Sequence, residues 1–156
     1  MPFTCFSSWA KRNDISREVN YKAISVYNDK FIEKYAFDGY YCKQSSEMYF
    51  ISRLSYHSWY EIDLLRPRKI SCVRIQTRGN VFHSSRFNDV ALTFGNMSIN
   101  ENYKNNPLIH FFKGETPLGA YFEICDKFRY KARYLIFQRV NSTKSFLALG
   151  EIQILE

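Results

Sequence analysis

Residues 59–95 constrain the fold most, because apolar and polar side chains alternate there with a period of two. The alternation runs through three segments, 60–64, 73–77 and 89–94. A period of two is typical of half-buried strands, whose side chains point in turn to the core and to the solvent. The stretch therefore predicts three strands and two turns, and the second turn is a polar loop, 78–86, with an arginine at each end.

Shorter apolar segments on both sides predict further strands. They are residues 21–26, 108–112, 121–124, 132–138 and 146–155. A helical turn is predicted at 32–39, a long surface loop at 40–58 and a connection between sheets at 96–107. Seven or eight short strands without an amphipathic helix are typical of an all-β fold, an antiparallel β-sandwich of jelly-roll type.

Length and composition predict one domain. The 156 residues, 46% of them apolar, supply a core large enough for a single domain, which we expect over 21–156 after an irregular lead-in over 1–20. No apolar run approaches the ~20 residues of a transmembrane helix. Residues 1–14 lack the pattern of a secretory signal peptide. The predicted core consists of Trp59, Ile62, Leu64, Val73, Ile75, Leu92, Phe94, Ile136, Leu149 and Ile152.

Charge and cysteine content limit the function without defining it. The net charge of +7 favours anionic partners or surfaces. The four cysteines, Cys5, Cys42, Cys72 and Cys125, are scattered without a CxxC pair, which argues against a zinc site. They allow three disulfide pairings, and a fully reduced set fits equally well.

Six short motifs occur in an order that resembles a known superfamily. They are 35–39 (YAFDG), 59–64 (WYEIDL), 70–75 (ISCVRI), 95–96 (GN), 133–135 (RYL) and 147–152 (LALGEI). Their order and spacing resemble the discoidin-like, galactose-binding-like superfamily, and within it the F-type lectins, or fucolectin group. The resemblance runs from about Ala23 to Ile154. It implies an eight-stranded jelly roll that serves as a non-enzymatic module for fucose- or galactose-type glycans and glycoproteins.

The resemblance also implies sugar-binding residues. The F-type pattern has two basic residues with an acidic residue between them; Arg78 and Arg86 match the basic positions, and Asn80 stands at the acidic one. The pattern also has an upstream histidine, whose place near 51–53 holds none here, and the nearest histidine is His57.

The chemistry of the arginines agrees with this assignment. A guanidinium presents a planar fork of donors that suits vicinal hydroxyls, carboxylates or phosphates. An aromatic ring, Phe82 or Tyr56, would lie against the apolar face of a sugar. Alternatively, both arginines are solvated loop cations or pair with Asp89 and Asp63.

A calcium site is the second implication of the resemblance. Its ligands would be the carboxylates of Asp38 and Glu151 with the carbonyls of Tyr35, Tyr40 and Gly150. Oxygen-only ligation of this kind suits a hard cation. Alternatively, Asp38 caps a turn and Glu151 pairs with a lysine. The resemblance also matches Cys125 to one half of a family disulfide, but Asn106 or Pro107 stands at the partner position.

Other functions are weighed against glycan binding. Cations and mostly aromatic residues alternate over 127–134, which would suit a nucleic-acid backbone, heparin or anionic lipid; the simpler interpretation is a basic turn before a strand. No nucleic-acid motif accompanies this run, so we expect no nucleic-acid partner.

Catalytic motifs are also missing from the sequence, so we expect no enzymatic activity. The alternatives to a lectin are a protein- or anionic-lipid-binding adhesion module of the coagulation-factor discoidin type and an intracellular assembly subunit. N-glycosylation triplets at 96–98 and 141–143 fit an extracellular or secreted location.

Overall fold

The alternating segments of the sequence are strands in the computed structural model, which describes residues 13–39, 49–77, 86–117 and 119–156. The strands are β1 (Asn20–Ala23), β2 (Phe50–Ile51), β3 (Trp59–Arg68), β4 (Cys72–Gln76), β5 (Asn88–Gly95), β6 (Leu108–Glu115), β7 (Tyr121–Cys125), β8 (Ala132–Arg139), β9 (Ala148–Leu149) and β10 (Glu151–Leu155). Short 3-10 helices cover Glu33–Ala36, within the predicted helical turn, and Tyr103–Asn105.

The strands form two main antiparallel sheets with a core between them. One sheet has the order β1-β3-β8-β5-β6, the other has the order β10-β4-β7, and β2 and β9 form a small third sheet. The buried side chains of the core include Ile62, Leu64, Val73, Ile75, Leu92, Phe94, Leu149 and Ile152. The predicted antiparallel β-sandwich is confirmed. In the described ranges, no helix is both long and apolar enough to cross a membrane.

Trp59 and Ile136 differ from the predicted core. Side chains of a strand alternate between its faces, so Trp59 lies on the face of β3 opposite to Ile62 and is only partly buried. Ile136 pairs with Glu61 on that same outer face. It is buried, but outside the main core cluster. The prediction is therefore wrong for Trp59 and places Ile136 in the wrong layer.

Residues 96–106 cover the outer face of the five-stranded sheet. The predicted connection between sheets is wrong, because β5 and β6 on either side of this segment pair with each other in one sheet. The segment instead folds over the outer face, where the Ile99 N–H donates to Glu61 Oε2 at 2.5 Å and Gln138 Nε2 donates to the Tyr103 hydroxyl at 3.2 Å. Glu61 is consequently only 2% exposed and forms an ion pair with Lys22 at 3.2 Å.

The long loop predicted over 40–58 contains a strand in its described part. Residues 40–48 lie outside the described residues, whereas β2 pairs with β9 and is fully buried. A two-residue strand shows no period in a sequence, and only its distant partner identifies it. Here the prediction is wrong for Phe50 and Ile51.

A disulfide joins the central strand of the three-stranded sheet to one of its edge strands. Cys72 and Cys125 are direct partners in the register of β4 and β7, and their sulfur atoms are bonded. Glu123 lies beside them, but two bonded cysteines are not metal ligands. Asn106, at the position of the family disulfide partner, instead holds Met97 with two hydrogen bonds of 3.1 and 2.7 Å. Cys125 is therefore bonded to Cys72 and not to the family position at Asn106 or Pro107.

The described part of the predicted lead-in packs against the last strand. Asp14 forms a bridge with Leu155, and the Ile15 N–H donates to the Ile154 carbonyl at 2.9 Å. Ile15 and Val19 are buried in the core cluster. Residues 13–19 therefore close one edge of the sandwich before β1 begins.

Candidate functional site

Strand register brings His57 and Arg86 to one end of the five-stranded sheet. The start of β3 pairs with the end of β8, through Trp59 and Gln138, and the start of β5 pairs with the same end of β8. The Arg139 N–H also donates to the Ser58 carbonyl at 2.9 Å. The residues that precede β3 and β5 therefore lie on either side of the end of β8.

Arg86 lies against an aromatic ring. Its guanidinium carbon is 4.5 Å from the centroid of the Phe146 ring. Partial burial lowers the pKa of Arg86, and the nearby Tyr27 acts in the opposite direction. A guanidinium remains charged near neutral pH despite such a shift, so this is a charged donor group held on an apolar platform.

Phe146 is fixed by its own neighbours. Its ring makes an edge contact with Tyr27 at 5.8 Å, and Tyr27 in turn packs on Phe31 at 5.8 Å. The buried Arg139 donates from Nη1 to the Phe146 carbonyl at 2.8 Å. Burial lowers the pKa of Arg139, and Asp89 opposes this effect. The platform beneath Arg86 is therefore held at both its ring and its backbone.

A second cation and ring lie next to this pair. Lys144 Nζ is 5.4 Å from the centroid of the Tyr56 ring, which is 56% exposed. Ser145 is extended, because it exchanges both backbone hydrogen bonds with Ser55. Lys144 and Phe146 therefore point to the same side, ~7 Å apart along the chain. A second pair of a cation and an exposed aromatic ring thus lies at the segment that carries Phe146.

His57 has a fixed orientation at this end. Its Nδ1 lies 3.3 Å from the Arg139 carbonyl oxygen, which can only accept a hydrogen bond. Nδ1 is therefore the donor, and Nε2 of the neutral ring is an acceptor on an exposed side chain. The backbone of His57 is left-handed, with φ of 50°. Such a conformation in a non-glycine residue is held by its surroundings.

We call this end of the sandwich the Arg86 surface. It comprises Tyr27, Arg53, Tyr56, His57, Arg86 and Lys144, with Phe146 beneath. At the place of the family histidine, Ile51 and Ser52 are buried, and Arg53 is the exposed residue. Arg53 Nε donates to the Val26 carbonyl at 3.1 Å, next to Tyr27.

The predicted sugar-binding residues are only partly described. Arg78, Asn80 and Phe82 lie outside the described residues, so their roles remain predictions. Among the described residues, Arg86 forms no ion pair with Asp63 or Asp89. Asp63 accepts two bonds from Arg133, at 2.7 and 2.9 Å, which lower the pKa of the Asp63 carboxyl. Asp89 Oδ1 accepts from the Gly114 N–H at 2.8 Å.

The predicted calcium ligands are also partly brought together. The Gly39 N–H donates to Glu151 Oε1 at 3.0 Å, which places the residue after Asp38 against the last strand. Glu151 is 2% exposed, and the oxygens Asp38 Oδ2 and Glu151 Oε2 are both buried. An Arg17 guanidinium nitrogen lies 3.8 Å from where a Gly39 Cβ would be. The buried carboxylate oxygens are therefore of the kind that calcium binds. The Arg17 guanidinium is a second cation that could neutralise the same carboxylates.

Gly150, another predicted calcium ligand, lies where β10 approaches β4 closely. The Gly150 N–H donates to the Gln76 carbonyl at 2.9 Å, and a Cβ on Gly150 would lie 2.7 Å from that oxygen. Only glycine fits this close approach of β10 to β4. Tyr35 lies in the 3-10 helix before Asp38, and Tyr40 lies outside the described residues.

The sequence does not predict several members of the Arg86 surface. Phe146, Lys144, Tyr27 and Arg53 belong to no motif, because their contacts join segments far apart in the chain. The only sequence signal is indirect: an arginine stands beside the position where the family has a histidine.

Solved structures with the same fold include several lectins. A fucolectin from striped bass (Morone saxatilis) serum has a TM-score of 0.77 at 16% identity, over 97% of this chain and 50% of its own. The lectin domain of lectinolysin, in complex with Lewis B antigen, has a TM-score of 0.73 at 15% identity, over 95% of this chain and 99% of its own. A Streptococcus pneumoniae fucose-binding module has a TM-score of 0.71 at 18% identity, over 95% of this chain and 99% of its own.

These similarities are at the level of fold. The chain shares the β-sandwich fold of these lectins and of a family 32 carbohydrate-binding module solved in complex with galactose, as the resemblance predicts. It spans half the length of the striped bass lectin. No protein-family model matches the sequence. No curated protein matches it either.

Proposed function

We propose that this domain is a non-enzymatic lectin that binds glycans at the Arg86 surface. The observation that supports this proposal most strongly is the Arg86 guanidinium held over the Phe146 ring, at a loop-bearing end of the sandwich. The proposal draws further support from the fold, because structures with this fold include a fucolectin, a fucose-binding module and a module solved with galactose.

The groups on this surface complement a sugar. Arg86 and Arg53 supply hydrogen-bond donors for hydroxyl oxygens, and His57 Nε2 supplies an acceptor. The exposed Tyr56 ring offers a face for the apolar C–H groups of a pyranose. We propose that Arg78, Asn80 and Phe82 complete the site from the loop at 78–85. Affinity for a single monosaccharide should be modest, because desolvation and ordering offset part of each hydrogen bond.

Removing the guanidinium should weaken glycan binding without unfolding the domain. We expect Arg86→Ala to lower affinity at least tenfold, corresponding to the loss of one charge-assisted hydrogen bond of roughly 1.5 to 3 kcal/mol. Arg78→Ala should have a similar effect if both arginines contact the sugar. A glycan array of fucose- and galactose-type structures would identify a neutral ligand, and isothermal titration would give its affinity for each variant.

Lys131→Ala is the matched control, because this exposed cation lies at the opposite end of β8. It should leave both affinity and thermal stability unchanged. If the Arg78→Ala, Arg86→Ala double variant bound the array ligand normally, the site assignment would be wrong. Failure of the wild-type domain to bind any glycan would instead favour the protein- or lipid-binding adhesion module.

We also propose a stabilising calcium ion between the 3-10 helix and β10. Asp38, Glu151 and carbonyls from Tyr35, Tyr40 and Gly150 would hold it, and its chemistry would be structural. The proposal is supported by two buried carboxylate oxygens and by the Gly39 to Glu151 hydrogen bond, which joins the two ligand-bearing segments.

Calcium should therefore raise the melting temperature of the wild-type domain and not that of Asp38→Ala. Binding to the native state alone adds about 2.7 kcal/mol of stability at one hundred times the dissociation constant. The exposed Asp126→Ala should retain the full shift. Absence of calcium binding by titration calorimetry at millimolar concentration would exclude the site.

An extracellular location is part of the same proposal. The Cys72–Cys125 disulfide is the supporting observation, since disulfides persist mainly in oxidising compartments. The partners would then be glycoproteins or free glycans outside the cell.

A further inference from the structure

Five exposed cations lie together at the end of the sandwich opposite to the Arg86 surface. We call them the basic end: Arg66 from the end of β3, Lys69 from the turn that follows it, and Lys127, Arg129 and Lys131 from the β7–β8 connection. The only carboxylate within these two segments, 65–71 and 126–131, is Asp126. Two further carboxylates, Glu18 and Glu156, pair with Arg68 of the first segment at 2.7 and 3.6 Å. The cations still outnumber the carboxylates, so the local charge is positive.

Two contacts hold the segments side by side. The Asp126 N–H donates to the Ser71 carbonyl at 3.3 Å, where the β7–β8 connection begins. Arg68 pairs with Ala132 where it ends. Both ends of the connection thus lie against the β3–β4 turn, so the cations of the two segments share one surface.

The alternation of cations and aromatic residues has a structural cause. Phe128 is buried and packs on Phe94 at 5.4 Å, while Tyr130 stacks on Phe94 at 5.8 Å and donates its hydroxyl to the Phe94 carbonyl at 2.8 Å. The aromatic side chains anchor the connection. Lys127, Arg129 and Lys131 are consequently turned outward.

None of these five cations pairs with a carboxylate of the described residues. Arginines elsewhere in the same sheets behave differently: Arg74 binds Glu123 at 2.8 Å, and Arg133 binds Asp63 at 2.7 Å. Arg68, in the same segment as Arg66 and Lys69, is likewise paired, with Glu18 and Glu156. The positive charge of the basic end is therefore available to an external anion.

We propose that the basic end binds a sulfated polysaccharide. Several cations distributed over two segments suit a linear polyanion with closely spaced charges, because each contact releases counterions. A membrane-binding surface would present several apolar side chains at its tips, whereas Leu65 is the large aliphatic residue exposed within these segments. A single-stranded nucleic acid would need free stacking rings, whereas Tyr130 is already stacked and hydrogen-bonded.

The basic end is separate from the proposed neutral-glycan site. β3 begins beside His57 and ends beside Lys69, and its length separates the two ends by ~30 Å. A long sulfated chain could therefore occupy the basic end while a terminal sugar occupies the Arg86 surface. The two sites can be tested independently with separate variants.

Heparin is the probe for the test, with the full domain and the triple variant Lys127→Gln, Arg129→Gln, Lys131→Gln. We expect wild-type affinity for heparin to fall steeply with salt, and the triple variant to lose at least tenfold in affinity at the same salt concentration. Loss of three contacts should reduce the slope of log K against log salt by roughly two to three. A control triple variant removes the same charge elsewhere on the surface and should retain most of the heparin binding. Its substitutions are Lys30→Gln, Lys34→Gln and Lys104→Gln.

Three results would overturn the proposal. They are no binding to heparin at low salt, an equal loss of affinity in both triple variants, and tighter binding to a DNA duplex or to phosphatidylserine vesicles than to heparin. Desulfated heparin should bind as weakly as the triple variant binds heparin. Because Arg86→Ala should leave heparin binding intact, the outcome is independent of the neutral-glycan site.

Discussion

Replacing Cys72 and Cys125 together with alanine should lower the free energy of unfolding by about 4 kcal/mol. The two residues are 53 positions apart, and the loop entropy that a bond of this separation removes from the unfolded chain corresponds to about 4 kcal/mol. The bond also joins direct partners in β4 and β7, so its loss should loosen one side of the sandwich. Urea unfolding of the variant and the wild-type protein would measure the difference.

Peptide mapping under oxidising conditions is the control for this prediction. It should show Cys72 and Cys125 in one cross-linked peptide, whatever the states of Cys5 and Cys42. A stability change below ~1 kcal/mol, or Cys72 bonded to a different cysteine, would contradict the account of this sheet.

Leu92→Ala should destabilise the domain by about 2 to 5 kcal/mol. Leu92 is fully buried in β5, the strand between β8 and β6, and alanine would leave a cavity lined by the facing sheet. Thermal and urea unfolding would both report the change, since the substitution leaves the surface untouched.

Leu108→Ala provides the same chemical change on the neighbouring strand. Leu108 is 60% exposed at the start of β6, so its truncation should cost roughly 0.5 kcal/mol or less. Similar losses for Leu92→Ala and Leu108→Ala would mean that the core does not lie between the two sheets as described.

The sequence predicts the sheets well where the period of two is long. β3, β4 and β5 are all found within residues 59–95 because each buries one face and alternates accordingly. Trp59 is misplaced because it stands on the odd-numbered face of β3, whereas Ile62 and Leu64 stand on the even-numbered face. β2 is missed because its two residues are identified only by their pairing with β9.

The candidate site is less predictable because its contacts join distant segments. Arg86 can be found from the family pattern, but the Phe146 ring beneath it is sixty positions away and belongs to no motif. The same holds for the disulfide: three pairings were possible, and the register of β4 against β7 selects Cys72 and Cys125. Register is a property of the whole sheet and cannot be read from cysteine spacing.

Backbone amide chemical shifts, followed during titration with a fucose- or galactose-type glycan, test the central proposal most directly. The account predicts that the largest changes fall at 53–58, 86–88 and 144–146, the segments that carry the Arg86 surface. It also predicts small changes at 126–131, the basic end. Changes confined to another face of the sandwich, or no changes at millimolar glycan, would contradict the assignment of glycan binding to the Arg86 surface.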